Sequence, residues 1–333
     1  MVLNYLITLF TTCFYFLIIL FGLLVLIKIY LVLTLRTCTC KSNLDGKTVV
    51  ITGGNTGIGF ETAKILAERG ARVVIASRNV SKSQAAVQAI IAATGNKKVE
   101  CKSLDLSKFS SIKRFADDFN ENYDRLDILI NNAGFSTFEQ VKTEDGIEKV
   151  MQVNHVGHVY LTNLLLNKIV SSRPSRIIFV ASGAHMWHWF DPNDMVGNKP
   201  VNVWTRYSNT KLCNVLSAKA LAKRVPKGVT VNSLHPGVAK TEIYEVVPGP
   251  LKAVSHFLLG TFCKTPEQCA QTSVHAASSP DLAEVSGQYF YDCEISKPIN
   301  WSVNDEFAER VWDKTIALIE DRTRQLDANA LIQ

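Results

Sequence analysis

Residues 1–27 contain no charged side chain. As a helix that stretch would run about 40 Å, against roughly 30 Å for the hydrocarbon core of a bilayer. Lys28 interrupts it, and residues 29–35 are mostly apolar again before Arg36. The run also lacks the marks of a cleaved secretory leader: no basic segment precedes it, its apolar core is too long, and no Ala-x-Ala site comes after it. A retained transmembrane helix is therefore expected over 1–36, with a juxtamembrane linker over 37–45. Lys28, Arg36 and Lys41 all lie C-terminal to the charge-free run, which by the positive-inside tendency puts the rest of the chain on the cytosolic face.

Other absences narrow the class further. The eight cysteines form no metal-type CxxC pairing, and a domain of this length has core enough without disulfides, so no metal is expected and the thiols read as reduced. Cys38 and Cys40 sit just beyond the anchor, where S-acylation is one reading and ordinary juxtamembrane thiols the other. The net charge of +6 contains no long basic block, which argues against a nucleic-acid partner. No internal repeat and no low-complexity segment interrupts the chain.

Beyond Lys41 the chain alternates short β-branched runs with helical patterns. Strands are expected at 47–52, 71–77, 99–104, 126–130, 176–181, 229–234 and 288–291. Helices are expected at 58–68, 81–93, 110–122, 145–169, 207–224, 266–277 and 304–320. Strands separated by helices make right-handed βαβ units and hence an α/β fold, a single doubly wound, Rossmann-type parallel sheet of seven strands. One domain is expected over 46–322, then a polar tail over 323–333.

The first expected strand ends in Thr52-Gly53-Gly54-Asn55-Thr56-Gly57-Ile58-Gly59, and a helix begins at once. Glycines there let the backbone turn sharply and approach a pyrophosphate at the helix N-terminus. In this position the loop reads as a dinucleotide site, with Gly53, Asn55, Gly57, Ile58 and Gly59 as candidate contacts. No carboxylate occurs from Gly70 through Asn79 to hold a free ribose 2′-hydroxyl; the strand ends instead in Ser77-Arg78. A hydroxyl and a guanidinium suit a 2′-phosphate, so NADP(H) is the expected cofactor.

Further candidates sit at strand ends, where open α/β sheets bind ligands. Asp105 and Leu106 come after the third strand, and Asn131-Asn132-Ala133-Gly134 after the fourth. Ser182 comes after the fifth, and Asn154 lies inside the long helix between them. Tyr207 and Lys211 stand four apart, so a helix would set them side by side. A nearby ammonium favours the phenolate and pulls a tyrosine toward the working range of a general base.

This ordered set resembles the short-chain dehydrogenase/reductase superfamily. The match covers roughly residues 46–320 and rests on Thr-Gly-x-x-x-Gly-x-Gly at 52–59, Asp105-Leu106, Asn-Asn-Ala-Gly at 131–134, Asn154, Ser182, Tyr207/Lys211 and His235-Pro236-Gly237. Within it, Gly-Asn-Thr-Gly-Ile-Gly-Phe-Glu-Thr-Ala, Val-Asn-His-Val-Gly-His, Leu-His-Pro-Gly-Val and Lys264-Thr-Pro-Glu-Gln-Cys-Ala-Gln-Thr-Ser resemble the microsomal retinol dehydrogenases of the eleven-to-fourteen group. Gly54 departs from the alanine usual there. The resemblance implies Tyr207 as general acid/base and Ser182 as hydrogen-bond donor to the reacting oxygen. It implies Lys211 as ribose ligand beside the phenol, and Asn154 as holder of a relay water. Pro236, Gly237 and Thr241 would place the nicotinamide. In relatives the catalytic helix forms a dimer face, so a homodimer is admitted.

Substrate class rests on two apolar stretches. Residues 183–206 carry His185, Met186, Trp187, Trp189, Phe190 and Trp204, and residues 243–262 carry Tyr244, Leu251, Phe257, Leu258 and Leu259. In the superfamily these regions flank the substrate cleft. Beside a membrane anchor they suggest a lipophilic alcohol or carbonyl, with retinol/retinal first and a steroid, isoprenoid or fatty carbonyl as the alternative. The other reading of these residues is that they pack a small core of their own or touch the membrane surface. The endoplasmic reticulum is the expected membrane, with lipid droplets and mitochondria as alternatives. A catalytically silent scaffold on the same fold is the third reading; the intact set of Asn154, Ser182, Tyr207 and Lys211 argues against it.

Overall fold

The computed structural model describes residues 2–237, 263–298 and 303–330. Thr241 and the apolar segment 243–262 lie outside the described residues. The chain opens with α1 (Val2–Leu33), within which Phe10–Tyr30 has a mean hydropathy of 2.6 and is not buried inside the rest of the molecule. Among the described residues it is the one helix long and apolar enough to cross a membrane.

The remaining elements are β1 (Thr48–Thr52), α2 (Gly57–Glu68), β2 (Arg72–Ser77), α3 (Val80–Thr94), β3 (Val99–Ser103), α4 (Phe109–Asn122) and β4 (Ile128–Asn131). Then come α5 (Lys149–Met151), a π turn (Gln152–Val156), α6 (Gly157–Ser171), β5 (Ser175–Val180), α7 (Val203–Ala222), β6 (Val229–His235), α8 (Pro266–Ser278), β7 (Tyr289–Tyr291), β8 (Glu294–Ser296) and α9 (Asp305–Ala330). The sheet order is β3-β2-β1-β4-β5-β6-β7-β8. Strands β1 to β7 run parallel, as the alternating pattern requires. The order reverses between β1 and β4, which opens a crevice at their carboxyl ends.

Each central strand is apolar on both faces because both faces are covered. Val50, Leu129, Ile177 and Phe179 point into a core with Phe109, Phe119, Leu165 and Leu216. Val49, Ile51, Ile130 and Ile178 point the other way, against Leu66, Ile90 and Val274.

Three departures from the expected elements bear on the site. An eighth strand pairs antiparallel with β7 across a turn in which Asp292 and Cys293 take positive φ of 50° and 61°. Asp-Cys is not among the usual hairpin dipeptides, which is why the strand is invisible in the sequence. Helix α7 starts at Val203, four residues before Tyr207, because Asn202 caps it by accepting the N–H of Thr205 at 2.9 Å. The long helix after β4 is broken by the π turn around Asn154.

Candidate active site

At the carboxyl edge of the sheet lie two adjoining cavities that share Gly53, Ala133 and Gly134. The first, of about 270 Å³, is lined by the glycine loop, Asn132, Val180, Ala181, Tyr207, Lys211 and Pro236. The second, of about 160 Å³, is lined by Ser77, Arg78, Asp105, Leu106 and Phe135 among others. Gly57, Ile58 and Gly59 line the first; Asn55 sits half-buried in the same turn, outside either lining.

Glycine is required where the loop closes on itself. Gly53 has φ +65°, and a methyl there would lie 3.1 Å from the Ala133 Cα. A methyl on Gly59 would drive into the Gly53 carbonyl and the Asn132 amide. Gly57, at φ +55°, meets nothing within 4 Å, so its missing side chain is open cleft. Gly54 is packed: an alanine methyl would lie 2.8 Å from Ile51 Cγ2, so glycine fits this position. A bare backbone at a helix N-terminus suits a pyrophosphate.

Asn132 holds the opposite wall by donating its amide to the Thr52 carbonyl at 2.8 Å. Asp105 is braced by Ser107, whose N–H and hydroxyl donate to Oδ1 at 3.0 and 2.6 Å. Ser77 is buried with its hydroxyl bonded to Ser83, while the Arg78 guanidinium is exposed at the cavity rim. The hydroxyl half of the Ser77-Arg78 pair is thus already engaged.

Tyr207 and Lys211 share one face of α7, with Lys211 Nζ 5.6 Å from the phenol ring centre. Lys211 is 3% exposed and donates to the Val180 carbonyl at 2.9 Å. Burial lowers its ammonium to about 8 from the ordinary 10.5. No ion pair to it occurs among the described residues. Gly134 makes room for it, since a methyl there would stand 3.2 Å from Nζ and 3.5 Å from Asn154 Oδ1.

Asn154 is fully buried in the π turn. Its amide donates to the Phe135 carbonyl at 2.9 Å and to Thr210 Oγ1 at 3.2 Å, and its Oδ1 accepts the Phe135 N–H at 3.0 Å. The side chain thereby fixes the strand-end loop against α7. Ser182 caps a short 3₁₀ turn (Gly183–Trp187), its Oγ accepting the Ala184 N–H at 3.2 Å. That leaves its own hydrogen free to donate. Gly237 has φ +99°, and a methyl there would meet Lys264 Cδ at 2.7 Å.

Several residues of the site are not among the candidates read from the sequence, although His158 ends the Val-Asn-His-Val-Gly-His stretch. His158 bridges Asn154 and Thr52, and Asn214 donates to the Asn154 carbonyl at 3.0 Å. The four-residue spacing from Asn154 to His158 was the available signal. Arg206, next to Tyr207, pairs with Glu148 at 3.6 Å with both side chains buried, and donates to the Glu139 and Phe138 carbonyls. Conversely, His185 does not face the cleft: it is 1% exposed, with Nδ1 donating to the Ser182 carbonyl at 2.7 Å. Trp187, Trp189 and Trp204 line neither cavity and project outward.

A glycine-lined nucleotide crevice, with a tyrosine and a buried lysine on one helix at its mouth, invites comparison with known proteins. The family model described as short chain dehydrogenase matches residues 47–248. The chain belongs to the short-chain dehydrogenases. Human retinol dehydrogenase 11 is 42% identical over 283 residues, covering 85% of this chain and 88% of that protein. Human retinol dehydrogenase 13 is 41% identical over 304 residues, covering 90% and 91%. Among solved structures, the Pseudomonas aeruginosa RhlG/NADP active-site complex is 26% identical with a TM-score of 0.59, covering 80% of this chain and 98% of that one. A Mycobacterium paratuberculosis protein is 28% identical with a TM-score of 0.69, covering 86% and 98%. As a member of this family the chain is an oxidoreductase using a nicotinamide cofactor.

Proposed function

We propose that this short-chain dehydrogenase is a membrane-anchored, NADP(H)-dependent enzyme interconverting a lipophilic alcohol and its aldehyde or ketone, with retinol and retinal as the substrate pair. The observation that carries the chemistry is the placement of Tyr207 and Lys211 on one face of α7 at the mouth of the glycine-lined cleft. The name shared by the relatives supports the retinoid, and α1 supports the anchor. The exposed Arg78 at the rim, with no acid nearby on its strand end, supports a 2′-phosphate. The membrane is the endoplasmic reticulum, with the catalytic domain in the cytosol, where NADPH is kept largely reduced and reduction of the carbonyl is the working direction.

When bound, the cofactor supplies or receives the hydride. The chain does the rest. Tyr207 gives the proton of its hydroxyl to the carbonyl oxygen. Ser182 donates to that oxygen as negative charge grows on it, its hydroxyl already turned by the Ala184 N–H. Lys211 has three N–H donors and spends one on Val180, leaving two for ribose hydroxyls. Its charge lies close enough to the ring to favour the phenolate. Asn154 Oδ1 keeps one lone pair for a water that returns the proton to Tyr207 through Lys211.

The test is a panel of retinal, a steroid ketone and farnesal with NADPH and NADH in parallel, on the wild-type chain and Tyr207→Phe. Turnover of retinal with NADPH, lost in Tyr207→Phe while NADPH still binds, is the expected result. Unimpaired turnover in Tyr207→Phe would sink the mechanism, and turnover of farnesal or the steroid alone would move the substrate.

A further inference from the structure

Among the described residues outside α1, the four most exposed aromatics are Phe138, Trp187, Trp189 and Trp204, at 62%, 70%, 83% and 67% exposure. They converge on the first turns of α7, around Tyr207. Trp204 is in that helix, and the N–H of Trp189 donates to Asn209 on it at 2.9 Å. Arg206 holds the Phe138 carbonyl at 3.1 Å. Trp187 ends the 3₁₀ turn that leaves β5. All four therefore stand at the carboxyl edge of the sheet, beside the helix that carries Tyr207. Soluble proteins seldom leave such a patch without a partner.

The path of the linker says what the partner is. Ser42 donates to the Ser278 carbonyl at 2.6 Å, at the C-terminus of α8 near the amino edge of the sheet. Moving back toward α1, the N–H of Cys38 donates to Gln271 at 3.2 Å, farther toward the start of α8. Arg36 then pairs with Glu294 of the β7–β8 hairpin. That hairpin turns just beyond Tyr291, which pairs with His235 at the carboxyl end of β6. Helix α1 thus leaves the domain at the carboxyl edge, on the same side as the cleft. Tyr291 and Ile295, exposed on the hairpin, extend the apolar surface toward it. Among the described residues outside α1, the amino edge exposes no large apolar side chain.

We propose that the carboxyl edge of the sheet rests on the bilayer, with Phe138, Trp187, Trp189 and Trp204 seated at the headgroup boundary. A lipophilic substrate then reaches Tyr207 from lipid without crossing water. Tryptophan suits that position because its ring is apolar and its N–H wants a polar partner. The inference rests on α1 being a membrane anchor and adds the face by which the catalytic domain docks.

The test uses the full chain in phosphatidylcholine nanodiscs. Lipids brominated high on their acyl chains should quench a large part of the tryptophan emission. The quenchable part should disappear in the Trp187→Ser/Trp189→Ser/Trp204→Ser variant, with NADPH binding as the check on its fold. Should that variant misfold, Trp189→Ser alone, at the most exposed position, should remove a share of it. KM for retinal supplied in the discs should rise severalfold, because interfacial binding scales with the apolar area buried, while KM for a short water-soluble aldehyde stays put. Unquenched emission from discs that do carry the chain would overturn the docking and leave the anchor standing; the aromatics would then serve a second copy of the chain or another protein. An equal rise in both KM values would place them on the substrate instead and also overturn it. A chain that extracts into alkaline carbonate would remove the anchor and the docking together.

Discussion

His158 Nε2 lies 2.9 Å from the hydroxyl of Thr52, at the end of β1. The other ring nitrogen, Nδ1, faces the Asn154 carbonyl at 3.2 Å. A carbonyl only accepts, so Nδ1 carries the proton and Nε2 takes the Thr52 hydroxyl hydrogen. Thr52 Oγ1 then receives the N–H groups of Asn132 and Ala133, both at 2.9 Å. One neutral imidazole therefore joins β1, the loop after β4 and the π turn that holds Asn154.

Replacing His158 with Phe keeps the volume and removes both bonds. The Thr52 hydroxyl then keeps only the Ile130 carbonyl, at 3.5 Å, as acceptor, at a cost of about 1 to 2 kcal/mol in unfolding free energy. The pH dependence separates this from simple misfit. Burial lowers His158 to about 3 from the ordinary 6.5, so between those values the unfolded chain binds the extra proton. Stability contributed by the neutral ring is complete above 6.5 and falls away as pH drops. Urea midpoints measured from neutral pH down to acid should fall less steeply for His158→Phe than for the wild type; parallel curves would refute the assignment.

How much of this could be read from the chain depends on where each partner lies. The glycine loop, the strands and the Tyr207–Lys211 pair are local patterns, and each reappears at its expected place in the fold. Asn214 and His158 escaped because their partners come from other elements: Asn214 reaches the Asn154 carbonyl from 60 positions away, and Thr52 lies 106 positions from His158. The Arg206–Glu148 pair is likewise a tertiary fact. The tryptophans of 183–206 read either as cleft residues or as packing or membrane-surface residues, because composition cannot say which way a loop side chain points. The sequence pattern puts the start of α7 at 207, whereas it lies at Val203, because Asn202 caps the helix there.

Arg78 is the side chain on which the choice of cofactor turns. It is exposed at the rim of the second cavity, and the Ser77 hydroxyl beside it is bound to Ser83. If the guanidinium alone holds a 2′-phosphate, Arg78→Asp should weaken NADPH binding roughly 10- to 100-fold, the worth of one charge-assisted contact, and leave NADH binding unchanged or tighter. Fluorescence titration of both cofactors checks it. A variant that keeps its preference for NADPH would return the assignment to the backbone.

Cys40 should be the first thiol to react. Burial alone would raise it, but the Cys38 thiol, the Ser278 hydroxyl and the Arg69 guanidinium together bring it down to about 7 from 9.0. Arg69 Nη1 lies 3.2 Å from the Cys40 sulfur, and the Cys38 sulfur lies 2.9 Å from it. Iodoacetamide should therefore alkylate Cys40 with a rate half-maximal near pH 7, and Arg69→Gln should move that midpoint up toward 9.0. Mass-spectrometric labelling across pH reads both. Equal labelling of Cys40 and Cys101, a partly exposed thiol of the catalytic domain that burial raises, would mean the guanidinium does not act on the Cys40 sulfur.

Lys211 makes the clearest case of stability given up for chemistry. Its ammonium is buried against a carbonyl rather than a carboxylate, and burial holds it near 8 in the free enzyme against 10.5 in an unfolded chain. Below pH 8 both states carry the charge, and the folded state bears the whole desolvation cost. Between 8 and 10.5 the folded chain releases its proton first, the unfolded chain binds more, and stability rises with pH. Lys211→Met removes the charge and keeps much of the volume, so it should raise the urea midpoint at neutral pH and abolish turnover. Comparing midpoints at about pH 7.5 and about pH 9.5 isolates the lysine from other titrating groups, because only the wild type should gain from this source over that interval. Equal gains in both chains would mean that the folded ammonium is not desolvated, and with it would go the argument that an uncompensated charge waits at the foot of the phenol.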